Sequence, residues 1–191
     1  MIGNFEENSK LAEGSFVNEQ TRWKSAVHDK LSCQNDPLAP FPDKQTTLGV
    51  TYMLESLTDT HENFTLAILG SLLTDGPSSP FYEALIDSGL GSDYAPFSGV
   101  QKFTKQSLFS IGLQGIAPDQ SGAVQKAINM ALKNAYTEGF PMERVDAILH
   151  RIELGTKHQS SNFGLGLAMN LNTYWNHGVD PIQCLRVCAT A

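Results

Sequence analysis

Cysteine is scarce. Cys33, Cys184 and Cys188 are the only three in 191 residues, and so odd and sparse a set rules out the disulfide framework of a small secreted scaffold. Cys184 and Cys188 are four apart and would share a helical face. That is not the CxxC spacing of a zinc knuckle, and the two read as ordinary half-buried thiols, with a metal or redox pair as the alternative. Long apolar runs are also missing. None approaches the roughly 18 residues that cross a bilayer, so no membrane span is expected. Positive charge is in deficit: 13 Lys and Arg stand against 20 Asp and Glu, for a net charge of -7. Such a surface repels a phosphate backbone, and no basic stretch is interleaved with aromatics, so nucleic acid is excluded as a partner. The start, Met1-Ile2-Gly3-Asn4-Phe5-Glu6-Glu7, is acidic. It has neither the basic start and apolar stretch of a secretory signal nor the Arg-rich character of a mitochondrial one. Either the chain is cytosolic or its targeting segment lies outside this sequence.

What is present is enough for a core, with 41% apolar and 17% charged residues. Residues 1–43 read as an arm: polar, weakly periodic, with Trp23 as its one large anchor and a proline cluster at Pro37, Pro40 and Pro42. From Lys44 the pattern tightens. Leu48, Val50 and Tyr52 alternate in a β-branched run from Thr46 to Leu54, which predicts a strand with one buried face. Thr58-Asp59-Thr60 offers caps for a helix striped by Phe64, Ile68 and Leu72 and closed by Gly76. Ser78-Ser79-Pro80 restarts a helix, with Phe81, Leu85 and Ile86 inward and Gly89 at its end. A Gly-rich turn follows. Leu108 to Ile116 reads as a second strand, with Val100 to Phe103 as its hairpin partner. Pro118-Asp119 opens a long helix carrying Val124, Ile128, Ala131, Leu132 and Ala135, closed by Gly139. Pro141 starts another with Val145, Ile148, Leu149 and Ile152 inward. Helical stretches from Phe163 to Trp175 and after Pro181 complete the order. The expected class is α+β: a mostly antiparallel sheet with helices packed on one face.

Five histidines invite a search for a metal site. His150-Arg151-Ile152-Glu153-Leu154 comes nearest to the inverted zinc motif H-x-x-E-H, which needs two imidazoles on one helical face and a glutamate to activate the metal-bound water. The fifth position is Leu154, which ligates nothing, and His158 lies a turn too far. The plainer reading is a solvated face on which His150 and Glu153 pair at i, i+3. His61-Glu62 begins H-E-x-x-H, but Thr65 stands where the second histidine should, and the pair suits the first turn of a helix. Gly70 to Gly76 is followed by no Gly-Lys-Ser/Thr, Gly89-Leu90-Gly91 follows a helix rather than a strand, and G-x-S-x-G does not occur. Asn63-Phe64-Thr65 fits the glycosylation triplet by chance. No residue is assigned as catalytic or as a metal ligand, and no cofactor is expected in this chain.

Several stretches resemble the presequence-protease branch of the pitrilysin-type zinc metallopeptidases, the inverzincins. The most specific is Leu72-Leu73-Thr74-Asp75-Gly76-Pro77-Ser78-Ser79-Pro80-Phe81-Tyr82-Glu83-Ala84-Leu85-Ile86 followed by Ser88-Gly89-Leu90-Gly91. Phe109 to Ile116, Lys157-His158-Gln159-Ser160-Ser161 with Phe163-Gly164-Leu165, Trp175-Asn176-His177 with Asp180-Pro181, and Lys44 to Thr47 extend it in order over roughly residues 36 to 183. Members contain four homologous α+β units in two halves that close around a peptide chamber, and the first unit carries the zinc motif. This chain resembles the second, non-zinc-binding unit. The resemblance implies division into the arm, 1–43, and a truncated pitrilysin-like non-catalytic unit, 44–191, incomplete at its C-terminal end and prone to self-association. It implies zinc in the parent enzyme only. It also implies the zinc-bearing unit and the second half of the same parent as partners, peptide substrates reached through that parent, and a mitochondrial matrix location, or a plastid in plants. Phe81 and Tyr82 are the residues expected to pack against a neighbouring unit, the alternative being that they fill this unit's own core. Two functions follow: a non-catalytic, chamber-forming unit of an organellar metalloendopeptidase that degrades presequences and other short unstructured peptides, or a free-standing peptide- or subunit-binding module.

Overall fold

A computed structural model describes residues 18–158 and 161–189. Strand β1 (Thr46–Ser56) is followed by helix α1 (Thr60–Thr74), a π-helical turn (Tyr82–Asp87), strands β2 (Asp93–Tyr94), β3 (Gly99–Gln101) and β4 (Gln106–Ile116), and helices α2 (Ser121–Glu138), α3 (Met142–Lys157), α4 (Phe163–Asn176) and α5 (Pro181–Ala189). β4 is the central strand. It pairs antiparallel with β1 along its length, and its other edge takes the short β3 and β2 in turn. The expected class holds: an antiparallel sheet with helices on one face.

The pleat explains the layering. Phe109, Ile111 and Leu113 project from β4 to one side, and Leu48, Val50 and Leu54 of β1 join them. Leu73 of α1, Phe81 and Leu85 of the π turn, and Val124, Ile128 and Ala131 of α2 close the same cluster. α3 and α5 pack on α1, outside that layer, and α4 packs on α5. The long strands approach closely at one point. A Cβ on Gly112 would lie 2.0 Å from the Leu48 carbonyl oxygen, beside a register shift between Thr46 and Leu48, so only glycine fits there.

The expected punctuation is present. The Asp59 carboxylate caps α1 by accepting from the Glu62 amide at 2.9 Å, and Gly76, Gly89 and Gly139 all take positive φ at the exits. The Ser79 hydroxyl accepts from the Tyr82 amide at 3.3 Å. Three details depart from expectation. The segment after Ser79 winds as a π turn over Tyr82–Asp87 rather than as an α-helix. Asp93–Tyr94, inside the expected Gly-rich turn, forms a strand pair with Leu113 and Gln114. Tyr52 stays 36% exposed, stacking on Phe109 at a centroid distance of 6.4 Å. Residues 18–43 contain neither helix nor strand. Their ties to the sheet come from Gln20, which exchanges hydrogen bonds with Gln106, and from Arg22, which donates to Leu54 O at 3.0 Å and pairs with Glu55. Trp23 is 61% exposed.

Candidate functional site

The densest polar contact outside the sheet joins α1 to α3. α1 has no basic residue in its last turn, although its carbonyls there lack intrahelical partners and favour a cation. Arg144 supplies one from α3. Its guanidinium donates to Leu72 O at 3.2 Å, Asp75 O at 2.8 Å and Ser78 Oγ at 2.8 Å, and also to Ser78 O. Arg151, two turns on, pairs with the Asp75 carboxylate. The two arginines thus fix the loop that leads from α1 to the π turn. Sequence reasoning missed Arg144, yet a signal was there. Arg144 lies in the first turn of its own helix, where a cation is disfavoured, so it serves another element.

The same helix carries the histidine that most resembles a ligand. His150 Nδ1 lies 3.7 Å from the Glu153 carboxylate, and Lys157 pairs with that carboxylate too. The hydrogen bond from Lys157, then its charge, holds the Glu153 carboxyl below its ordinary range, with His150 adding to the effect. His158 terminates the helix as its C-cap. Asn63 is buried and its side-chain amide donates at 2.7 Å to Ser56 O and Asp59 O, so the glycosylation triplet is closed to modification in the folded chain. Cys33 is an exposed free thiol; the side chain of Cys188 lies outside the described residues.

Phe81 is fully buried and stacks on Phe109 at 6.2 Å. It fills this unit's own core and presents nothing to a neighbour. Tyr82, next along the π turn, is half-buried, so of the two it alone offers surface for packing outward. The sheet face opposite the core carries a shallow groove of about 300 Å³ lined by Gly49, Thr51, Leu108, Ser110 and the 95–98 loop. The Thr51 and Ser110 hydroxyls bond across its floor at 2.9 Å. No lining residue is charged. Phe97 stands at its rim, 77% exposed and with φ of 66°, a conformation that costs a non-glycine residue roughly 1–2 kcal/mol.

Residues 12–152 match the family of the peptidase M16 inactive domain. The chain belongs to that family. Over 171 residues it is 44% identical to a protein named "Presequence protease, mitochondrial" from Xenopus tropicalis, which covers 90% of this chain and 17% of the relative. The mouse protein of the same name is 42% identical over 178 residues, 93% of this chain and 17% of the relative. The chain therefore spans about a sixth of the length of these relatives. Among solved structures, a protease from Helicobacter pylori superposes with a TM-score of 0.54 at 20% identity, over 75% of this chain and 38% of that one. That likeness shows the fold.

For an M16 domain the group to test is zinc, and the residues do not fit it. A catalytic zinc needs three close protein ligands. At the near-motif, His150 is engaged by Glu153, Leu154 takes the second ligand's place and His158 is past the end of the helix. Among the described residues no three His, Cys, Asp or Glu side chains gather in a metal-holding group. On α3, Glu153 pairs with Lys157 and lies 3.7 Å from His150.

Proposed function

We propose that this chain is a non-catalytic structural unit of a larger zinc metalloendopeptidase, one that degrades presequences and other short unstructured peptides in the mitochondrial matrix or a plastid. The match to the M16 inactive domain carries the reading, and the names and lengths of the relatives support it. In such an enzyme the unit serves as a wall of the peptide chamber and as a packing partner of the zinc-bearing unit. The zinc and the water it activates belong to that other unit. The groove on the open face of the sheet, whose lining carries no charge, suits a wall that must not bind any one peptide strongly, and Tyr82 is the residue assigned to the contact between units.

The test is metal content together with cleavage of a quenched, unstructured peptide. The purified chain is expected to hold no stoichiometric zinc and to show no chelator-sensitive cleavage, whereas a longer polypeptide containing it shows both. Chelator-sensitive cleavage by this chain alone would overturn the proposal. Tyr82→Ala refines it: little change in the stability of the chain alone, and a loss of stability or cleavage in the longer enzyme.

A further inference from the structure

β1 is an edge strand. It pairs with β4 on one side and, among the described residues, with no strand on the other. Alternate N–H and C=O groups along its 11 residues therefore lack a ladder partner. The arm is tied beside both ends of this strand. At one end Arg22 donates to Leu54 O at 3.0 Å, and Gln20 exchanges hydrogen bonds with Gln106. At the other the Asp36 amide donates to Gln45 Oε1 at 2.7 Å, and Gln45 Nε2 donates back to Asp36 O at 3.2 Å. The arm thus runs antiparallel to β1. Among the described residues, none from 23 to 35 hydrogen-bonds to the sheet. Reach is ample. Gln45 to Leu54 covers roughly 30 Å at the rise of a strand, and the chain from Arg22 to Asp36 extends to roughly 46 Å.

We propose that residues 26–33 are a strap that closes on the free edge of β1 as a further antiparallel strand, the structure showing its open state. The segment suits a ladder. Residues 18–36 contain neither glycine nor proline, while Pro37, Pro40 and Pro42 follow at once, so every residue of the strap has an N–H to donate. At period two Val27 and Leu31 fall on one face and His28, Lys30 and Ser32 on the other. Val27 and Leu31 are 68 and 87% exposed, and closure gives them cover. β1 gains as well: Leu48 and Val50 pack on the core cluster yet are only partly covered, because no strand lies beyond them. Lys30 then serves the closed sheet, since a lysine on the new edge discourages further pairing. A second copy of β1 is the competing occupant. The two ties hold the strap at an effective concentration of millimolar order, far above that of another chain in dilute solution. The inference does not depend on the enzyme assignment.

Amide hydrogen exchange read by NMR on the 191-residue chain tests this, because closure protects the β1 amides that β4 leaves free. The comparison is with the double variant Asp29→Pro/Lys30→Pro. Proline has no N–H and cannot extend a ladder, and two adjacent positions ensure that one of them faces β1. Both sites lie in an exposed segment without secondary structure, so the open state tolerates the change. The expected result is about tenfold slower exchange of the free β1 amides in wild type than in the variant, with the β4 amides of Ile111 and Leu113 alike in both. Equal β1 rates would overturn the proposal. Slow exchange in wild type that is lost on dilution would also overturn it, in favour of pairing between two copies. Arg22→Ala gives an independent reading, since it frees one end and leaves the strap itself intact. Rates between those of wild type and the double variant are expected, and rates as slow as wild type would contradict closure by a tethered strap.

Discussion

Arg144→Met tests whether α1 is capped from outside. The substitution keeps an unbranched, apolar stem of similar reach and removes every donor. Four acceptors lose a charged partner: Leu72 O, Asp75 O, Ser78 O and Ser78 Oγ. A hydrogen bond to a charged group contributes about 1.5–3 kcal/mol when buried. Ser78 is exposed and water replaces much of its share, while the bonds to Leu72 and Asp75 are partly buried. The guanidinium Nε is buried without a partner, and its removal returns part of the cost. The net expectation is a loss of about 2 kcal/mol. Urea unfolding at low protein concentration measures it, as a lower midpoint at unchanged slope. Arg144→Lys keeps the cation but not the fork, and should lose about half as much. If Arg144→Met were within about 0.5 kcal/mol of wild type, the range of an ordinary surface change, Arg144 would be acting through its stem alone. The account of α1 capping would then be refuted.

Three further outcomes are expected. Gly112→Ala drives a methyl group into the Leu48 carbonyl at 2.0 Å and should separate β1 from β4, costing more than about 3 kcal/mol or abolishing folding; a well-folded alanine variant with native circular dichroism would contradict the close approach. Phe97→Asn replaces an exposed aromatic at φ of 66° with a residue that tolerates that region, and should raise stability by about 0.5–1 kcal/mol in the same urea assay. Glu153 has a folded pKa below its ordinary 4.5 because of Lys157 and, less, His150. The ion pairs therefore add stability above the unfolded pKa and lose it as pH falls through the folded one. Wild type should lose stability relative to Glu153→Gln in that acid window, with a difference that shrinks at high salt.

The long elements could be read from the sequence because their periods are long enough to be unambiguous. β1 alternates Leu48, Val50 and Leu54 toward the core, and α2 repeats Val124, Ile128 and Ala131 at helical spacing. Helix ends were legible where a cap or a left-handed glycine has its own chemistry, as at Asp59 and Gly139. β2 was not, because two residues cannot show a period, and its pairing depends on where β4 runs. The π turn was not, because Phe81 and Leu85 face inward in either winding. Phe81 could be placed inside or outside by its type alone. Its complete burial against Phe109 decides that it belongs to the core.

The candidate surfaces divide along the same line. Near-motifs are judged by the residue that is missing, and Leu154 settles His150 from the sequence; the structure adds the ion pairs that explain why His150, Glu153 and Lys157 share a face. Arg144 needed the opposite logic, in which the informative feature is a residue in the wrong place. A cation in the first turn of α3 opposes its own helix dipole, so its partner had to be the end of another helix, and the structure shows α1 there.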